Sequence, residues 1–147
     1  MKQRLVLVAS VLMLSAGLIA AESASAHPMT SRHKVVFQVD SASPAVQNLV
    51  LNNAANLQRK FGSHGVTIEV VAYGPGLSIL TNKSAVAQRV EHLSKDNIRF
   101  SACHNSMEAF KRKTGKMPVL LQGVKVVPSG VARIVSLEEK GYSYIRP

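Results

Sequence analysis

From Lys34 onward, short β-branched runs alternate with stretches whose apolar residues recur at helical spacing. Residues 34–40, Lys-Val-Val-Phe-Gln-Val-Asp, predict a strand buried on both faces. Ser43 and Pro44 then suit the N-cap and first position of a helix running to about Lys60 and stopped by Gly62. Val46, Leu49, Val50, Leu57 and Phe61 share one side of it, while Gln47, Asn48, Asn52, Asn56 and Arg59 face away. A second strand is expected over 66–73, followed by a Gly74-Pro75-Gly76 turn and the apolar Leu77, Ile79 and Leu80.

Ser84 opens a second predicted helix with Val86, Val90 and Leu93 inward, and Asp96-Asn97 breaks it. The third strand spans 98–103. Asn105 is positioned to cap the next helix, with Glu108 three residues on in the manner of a capping box. Met107 and Phe110 give that helix an apolar face, and Lys111, Arg112, Lys113 and Lys116 crowd its end. Residues 117–122 carry no clear pattern. Residues 124–127 predict a fourth strand, Pro128-Ser129-Gly130 a turn, and Val131, Ile134, Val135 and Leu137 the buried side of a last helix. Gly141 stops it before a short closing strand over 142–145. Such alternation implies an α/β fold with a mainly parallel sheet of about five strands and helices on both faces.

The amino terminus reads differently. Met1-Lys2-Gln3-Arg4 is basic, residues 5–21 are almost wholly apolar, and Ala24-Ser25-Ala26 is a small-residue cleavage motif. Residues 1–26 are therefore expected to be a cleaved signal peptide that exports the chain to the periplasm and leaves no membrane anchor. The mature chain would hold 121 of the 147 residues, with 27–33 a flexible polar tail and 34–147 one domain. Without Lys2, Arg4 and Glu22, 16 basic residues face 7 acidic ones, a formal net charge of +9. That balance favours anionic partners. With no Trp, three Tyr and four Phe, none interleaved with the basic residues, a base-stacking surface for nucleic acid has little support.

A single cysteine, Cys103, cannot form an internal disulfide. It ends the third strand just before a helix, where α/β folds bind ligands. Arg99, Ser101 and Cys103 share one strand face, His104 adjoins the thiol, and the helix amides near Asn105 and Ser106 could stabilise a thiolate. Cys103 is thus a candidate nucleophile or persulfide carrier, set against the bland reading of a buried small hydrophobe. The backbone of Gly74, Pro75 and Gly76, with Ser129 and Gly130, would wall the pocket. A different possibility is a soft-metal site, with copper held by Cys103, His104 and the amino-terminal His27 and Met29, or by His27, Met29 and His33 of the tail alone. No Ser-His-Asp set, carboxylate pair or phosphate loop is readable, so a carrier or binding protein fits better than a turnover enzyme, and no cofactor is implied.

The segments Ala102-Cys103-His104-Asn105-Ser106-Met107 and Gly123-Val124-Lys125-Val126-Val127-Pro128-Ser129-Gly130-Val131, together with the ending Leu137-Glu138-Glu139-Lys140-Gly141-Tyr142-Ser143-Tyr144-Ile145-Arg146-Pro147, resemble the DsrE/DsrF-like family. The loop Tyr73-Gly74-Pro75-Gly76-Leu77 fits as well. The resemblance implies a three-layer α/β/α sandwich assembling as a homotrimer or a hexamer of stacked trimers, with a site near the subunit boundary. It also implies partners among small sulfur species or sulfur-relay proteins, and a persulfide on Cys103. Relay members follow their cysteine with an alanine-rich segment containing Arg-Gly; this chain has His-Asn-Ser-Met-Glu-Ala-Phe-Lys instead.

Overall fold

A computed structural model describes residues 33–147. The expected signal peptide and most of the polar tail, including His27 and Met29, lie outside the described residues. Five strands form one all-parallel sheet in the order β4-β3-β2-β1-β5. The strands are β1 (His33–Val39), β2 (Val66–Ala72), β3 (Ile98–Cys103), β4 (Lys125–Val127) and β5 (Ser143–Ile145). The helices are α1 (Pro44–Phe61), α2 (Ala87–Lys95), α3 (His104–Thr114) and α4 (Gly130–Glu138), with a 3-10 segment over Gly74–Leu80. Among the described residues no helix is long and apolar enough to cross a membrane.

Strand register explains the main core. Parallel pairing aligns Val35 with Ile68 and Ile98, Phe37 with Val70 and Phe100, and Val39 with Ala72 and Ala102. Side chains aligned this way point to the same sheet face. These three rows bury against Val50, Leu51 and Ala54 of α1, Val90 and Leu93 of α2, Met107 of α3, and Leu77, Ile79 and Leu80. The opposite face is covered far more thinly. There, among the described residues, Val36 and Val71 cluster with Ile134 and Leu137 of α4, with Tyr73 and Tyr142 packed around them. The three layers are present, and they are unequal.

Several sequence expectations are corrected at the level of faces and ends. In α1, Gln47 is buried because it donates to Ser78 Oγ at 2.9 Å, while Leu49 and Phe61 are exposed. Phe110, Val131 and Val135 are also exposed. For Val131 and Val135 the reason is the thin layer, where the one helix α4 buries only Ile134 and Leu137. Ser84 does not open α2; its hydroxyl accepts from the Val86 amide in a preceding turn, and α2 begins at Ala87. Residues 74–80 coil into 3-10 turns rather than one tight turn, with Gly74 at φ +53°. Gly76 has no room for a side chain, since a Cβ there would lie 2.2 Å from the Val39 carbonyl oxygen. His33 belongs to β1, not to a loose tail, and stacks on Phe61 with ring centroids 4.0 Å apart.

Candidate functional site

The connections after β3 and β4 leave the sheet toward opposite faces, α3 toward the main core and α4 toward the thin layer. Where neighbouring connections diverge, the carboxyl edge of a parallel sheet opens a crevice. Cys103 ends β3 at that edge, and Ser129 and Gly130 begin α4 beside it, with Gly130 packed closely on Cys103. The Asn105 amide donates to the Pro128 carbonyl at 3.4 Å and ties the two connections together.

Cys103 itself, rather than Asn105, is the N-cap of α3, with extended backbone at φ −73° and ψ 117°. The expected Asn105–Glu108 capping box does not form, because the helix starts two residues earlier and Asn105 lies inside its first turn. Glu108 instead meets His104 at 3.9 Å on an exposed flank. His104 is thus directed along the helix surface.

The thiol is 4% exposed and belongs to neither apolar cluster. Its surroundings are donors. Burial pushes its pKa up, but the Ser106 hydroxyl and the backbone N–H groups of Gly130, Ser106 and Asn105 together outweigh that and hold it below the ordinary thiol value. The neutral thiol makes no capping hydrogen bond of ordinary geometry. Hydrogen bonds from these groups favour the charged form of the sulfur over the neutral one, which is the direction of the shift. Two helix N-termini, of α3 and α4, therefore address one sulfur. Gly130 permits this approach: a Cβ there would lie 2.9 Å from Tyr73 Cβ and 3.2 Å from Cys103 Cβ.

Ser101 and Arg99 lie on the Cys103 face of β3, as strand alternation requires, but neither acts on the sulfur directly. Ser101 is buried and donates to Glu69 Oε1 at 2.7 Å, whereas Arg99 is exposed and adds a favourable charge near Glu69. The Gly74 amide reaches Ser106 Oγ at 2.7 Å, so this glycine borders the site through backbone. Gly76 packs on the end of β1, one strand further away. His33 lies at the amino-terminal end of β1, at the sheet edge opposite Cys103. The structure therefore does not bring His33 and Cys103 together. Among the described residues no group of three or more His, Cys, Asp or Glu could hold a metal ion.

Sequence reasoning missed the Glu69–Arg133 pair on the thin face, and it raised Asp40 at the tip of the first strand without its partners. Glu69 is 1% exposed and receives a bidentate fork from Arg133, with Nε to Oε1 at 2.8 Å and Nη2 to Oε2 at 2.7 Å. Burial raises its carboxyl pKa, but the Arg133 and Ser101 hydrogen bonds and the Arg133 and Arg99 charges bring it below the usual value. A lone acid inside an apolar strand was the available signal, since a buried carboxylate must be paired. At the next strands, Tyr144 donates to Gln38 Oε1 at 2.6 Å, and Gln38 and Arg146 both donate to Asp40 Oδ2, at 3.0 and 2.8 Å. Burial first, then the Asp40 charge, pushes the Tyr73 phenol up.

An all-parallel α/β/α sandwich with a buried cysteine at its carboxyl edge, standing at the start of one helix and packed against the start of another, is the class this fold and site define. The chain belongs to the DsrE/DsrF-like family, whose model matches residues 33–147. It is similar to a solved protein of unknown function, MTH1491 from Methanobacterium thermoautotrophicum, at 37% identity and a TM-score of 0.70, over 78% of this chain and 99% of that one. The ychN protein from E. coli shares the fold at 15% identity and a TM-score of 0.61, over 78% of this chain and 99% of that one. BT1422 from Bacteroides thetaiotaomicron, also of unknown function, does so at 15% identity and a TM-score of 0.59, over 82% and 100% of the two chains. No curated protein matches the chain.

Proposed function

We propose that Cys103 carries or exchanges sulfur, in an exported DsrE/DsrF-like protein that acts as a carrier rather than as a turnover enzyme. The observation that carries this reading is the placement of Cys103 as the N-cap of α3 with the start of α4 packed against it, where the Ser106 hydroxyl and the Gly130, Ser106 and Asn105 N–H groups hold the thiol below its ordinary value despite its burial. A thiolate is the form that attacks sulfur. In the proposed step the Cys103 thiolate attacks the terminal sulfur of an inorganic polysulfide dianion. A new S–S bond forms to Cys103, the adjoining S–S bond of the polysulfide breaks, and its electron pair leaves with a polysulfide dianion one sulfur shorter. Cys103 is left as a persulfide anion, so charge and atoms balance.

Export is supported by the basic and apolar leader with its Ala24-Ser25-Ala26 motif. Self-assembly is supported by the family resemblance and by Val131 and Val135, which are exposed on the outer side of α4.

Iodoacetamide labelling against pH, followed by intact mass after polysulfide exposure, tests the reading. The wild type is expected to label with a midpoint below about 8.5, the unperturbed thiol value, and to gain the mass of sulfur; Cys103→Ser does neither. A midpoint no lower than that value, with no sulfur gained, overturns it.

A further inference from the structure

We infer that Glu69 and Arg133 are positioning residues for Cys103: their ion pair holds the first turn of α4 so that the Gly130 N–H stays directed at the sulfur. The inference rests on the sulfur-carrying reading of Cys103 for its purpose, though not for its geometry. Arg133 belongs to the first turn of α4, its amide bonding the Ser129 carbonyl at 3.0 Å. Its fork spans both oxygens of Glu69, which is fixed in the middle of β2. Glu69 in turn accepts from Ser101, two residues before Cys103 on the same face of β3. One carboxylate thereby joins the helix that supplies the Gly130 amide to the strand that supplies the thiol.

Among the described residues, little else fixes α4 sideways. Ile134 and Leu137 are its buried apolar side chains, and Val131 and Val135 face outward. Apolar contact resists lifting but is non-directional. A planar guanidinium bound to both carboxylate oxygens sets a direction as well as a distance. The fit at Gly130 leaves no slack, because even a Cβ there would press on Cys103 and Tyr73. A small slide of α4 would carry its leading amide off the sulfur.

The test compares wild type, Arg133→Lys and the double variant Glu69→Leu/Arg133→Met. Replacing both charges with apolar side chains avoids a buried unpaired carboxylate and preserves folding. Alkylation rate against pH and amide exchange at Gly130, read by NMR, are measured on each. In the double variant, neutral-pH alkylation is expected to slow by roughly tenfold, about the loss of one hydrogen bond to a charged sulfur. Exchange at Gly130 rises in the same variant, and Arg133→Lys, which keeps the charge without the fork, falls between. A folded double variant with wild-type alkylation and wild-type Gly130 exchange overturns the inference and leaves the sulfur reading standing. An ordinary wild-type thiol midpoint beside faster Gly130 exchange in the double variant does the reverse: positioning stands and sulfur carriage falls.

Discussion

The Gly74 amide donates to Ser106 Oγ at 2.7 Å, joining the loop after β2 to the first turn of α3. With its acceptor side used in this way, the Ser106 hydroxyl has its proton free for Cys103. A backbone group on one loop thus orients a side chain that acts on a sulfur on another.

Ser106→Ala removes that hydroxyl without touching the helix amides. Alkylation of Cys103 at neutral pH is expected to slow by roughly tenfold, since hydrogen bonds to charged groups are worth about 1.5–3 kcal/mol. Ser106→Thr should retain most of the wild-type rate. Rates of the two variants taken across a pH series separate this from a loss of folding.

Gly130→Ala would set a methyl 2.9 Å from Tyr73 Cβ and 3.2 Å from Cys103 Cβ, neither of which is the end of a flexible chain. Overpacking of this kind costs about 1–3 kcal/mol. Urea unfolding should report a lower midpoint with an unchanged slope.

Acid should weaken the thin layer through Glu69. Its folded carboxyl lies below its ordinary value, so its contribution to stability is present at neutral pH. That contribution is lost as pH falls from about 4.3, the unperturbed glutamate value, through the lower folded value. Urea unfolding from pH 7 to pH 3 should show a decline that the double variant Glu69→Leu/Arg133→Met largely lacks.

The two cores should respond unequally to truncation. Leu51 is fully buried in the larger one, and Leu51→Ala is expected to cost about 2–5 kcal/mol. Val135, on the outside of α4, is about half exposed, and Val135→Ser should change monomer stability by less than about 0.5 kcal/mol. Thermal unfolding of both variants checks the contrast.

The fold was legible because its signals are local and repeated. β-branched runs, Pro44 at a helix start and Gly62, at φ +79°, past the helix end each state an element without reference to the rest of the chain. The placement of Cys103 at a strand end followed from the same patterning. Helix faces were harder to read, since which side of α4 is buried depends on how little of the sheet it covers. Val131 and Val135 carry the right spacing and still face outward. The supporting shell of the thiol was least legible. Gly130, 27 residues after Cys103, was expected in the pocket wall, but Glu69, 34 residues before it, was not; the parallel pairing of β2 with β3 is what sets that carboxylate beside Ser101.

Both margins of the sheet are only three residues long, β4 and β5, while the longer strands lie inside. Pro128 follows β4 directly and has no N–H to offer, and Pro147 stands two residues beyond β5. An incoming extended chain would find few free backbone groups to pair with, which discourages the ladder growth that leads to fibrils. Contacts between molecules must then be written in side chains, where sequence can choose the partner.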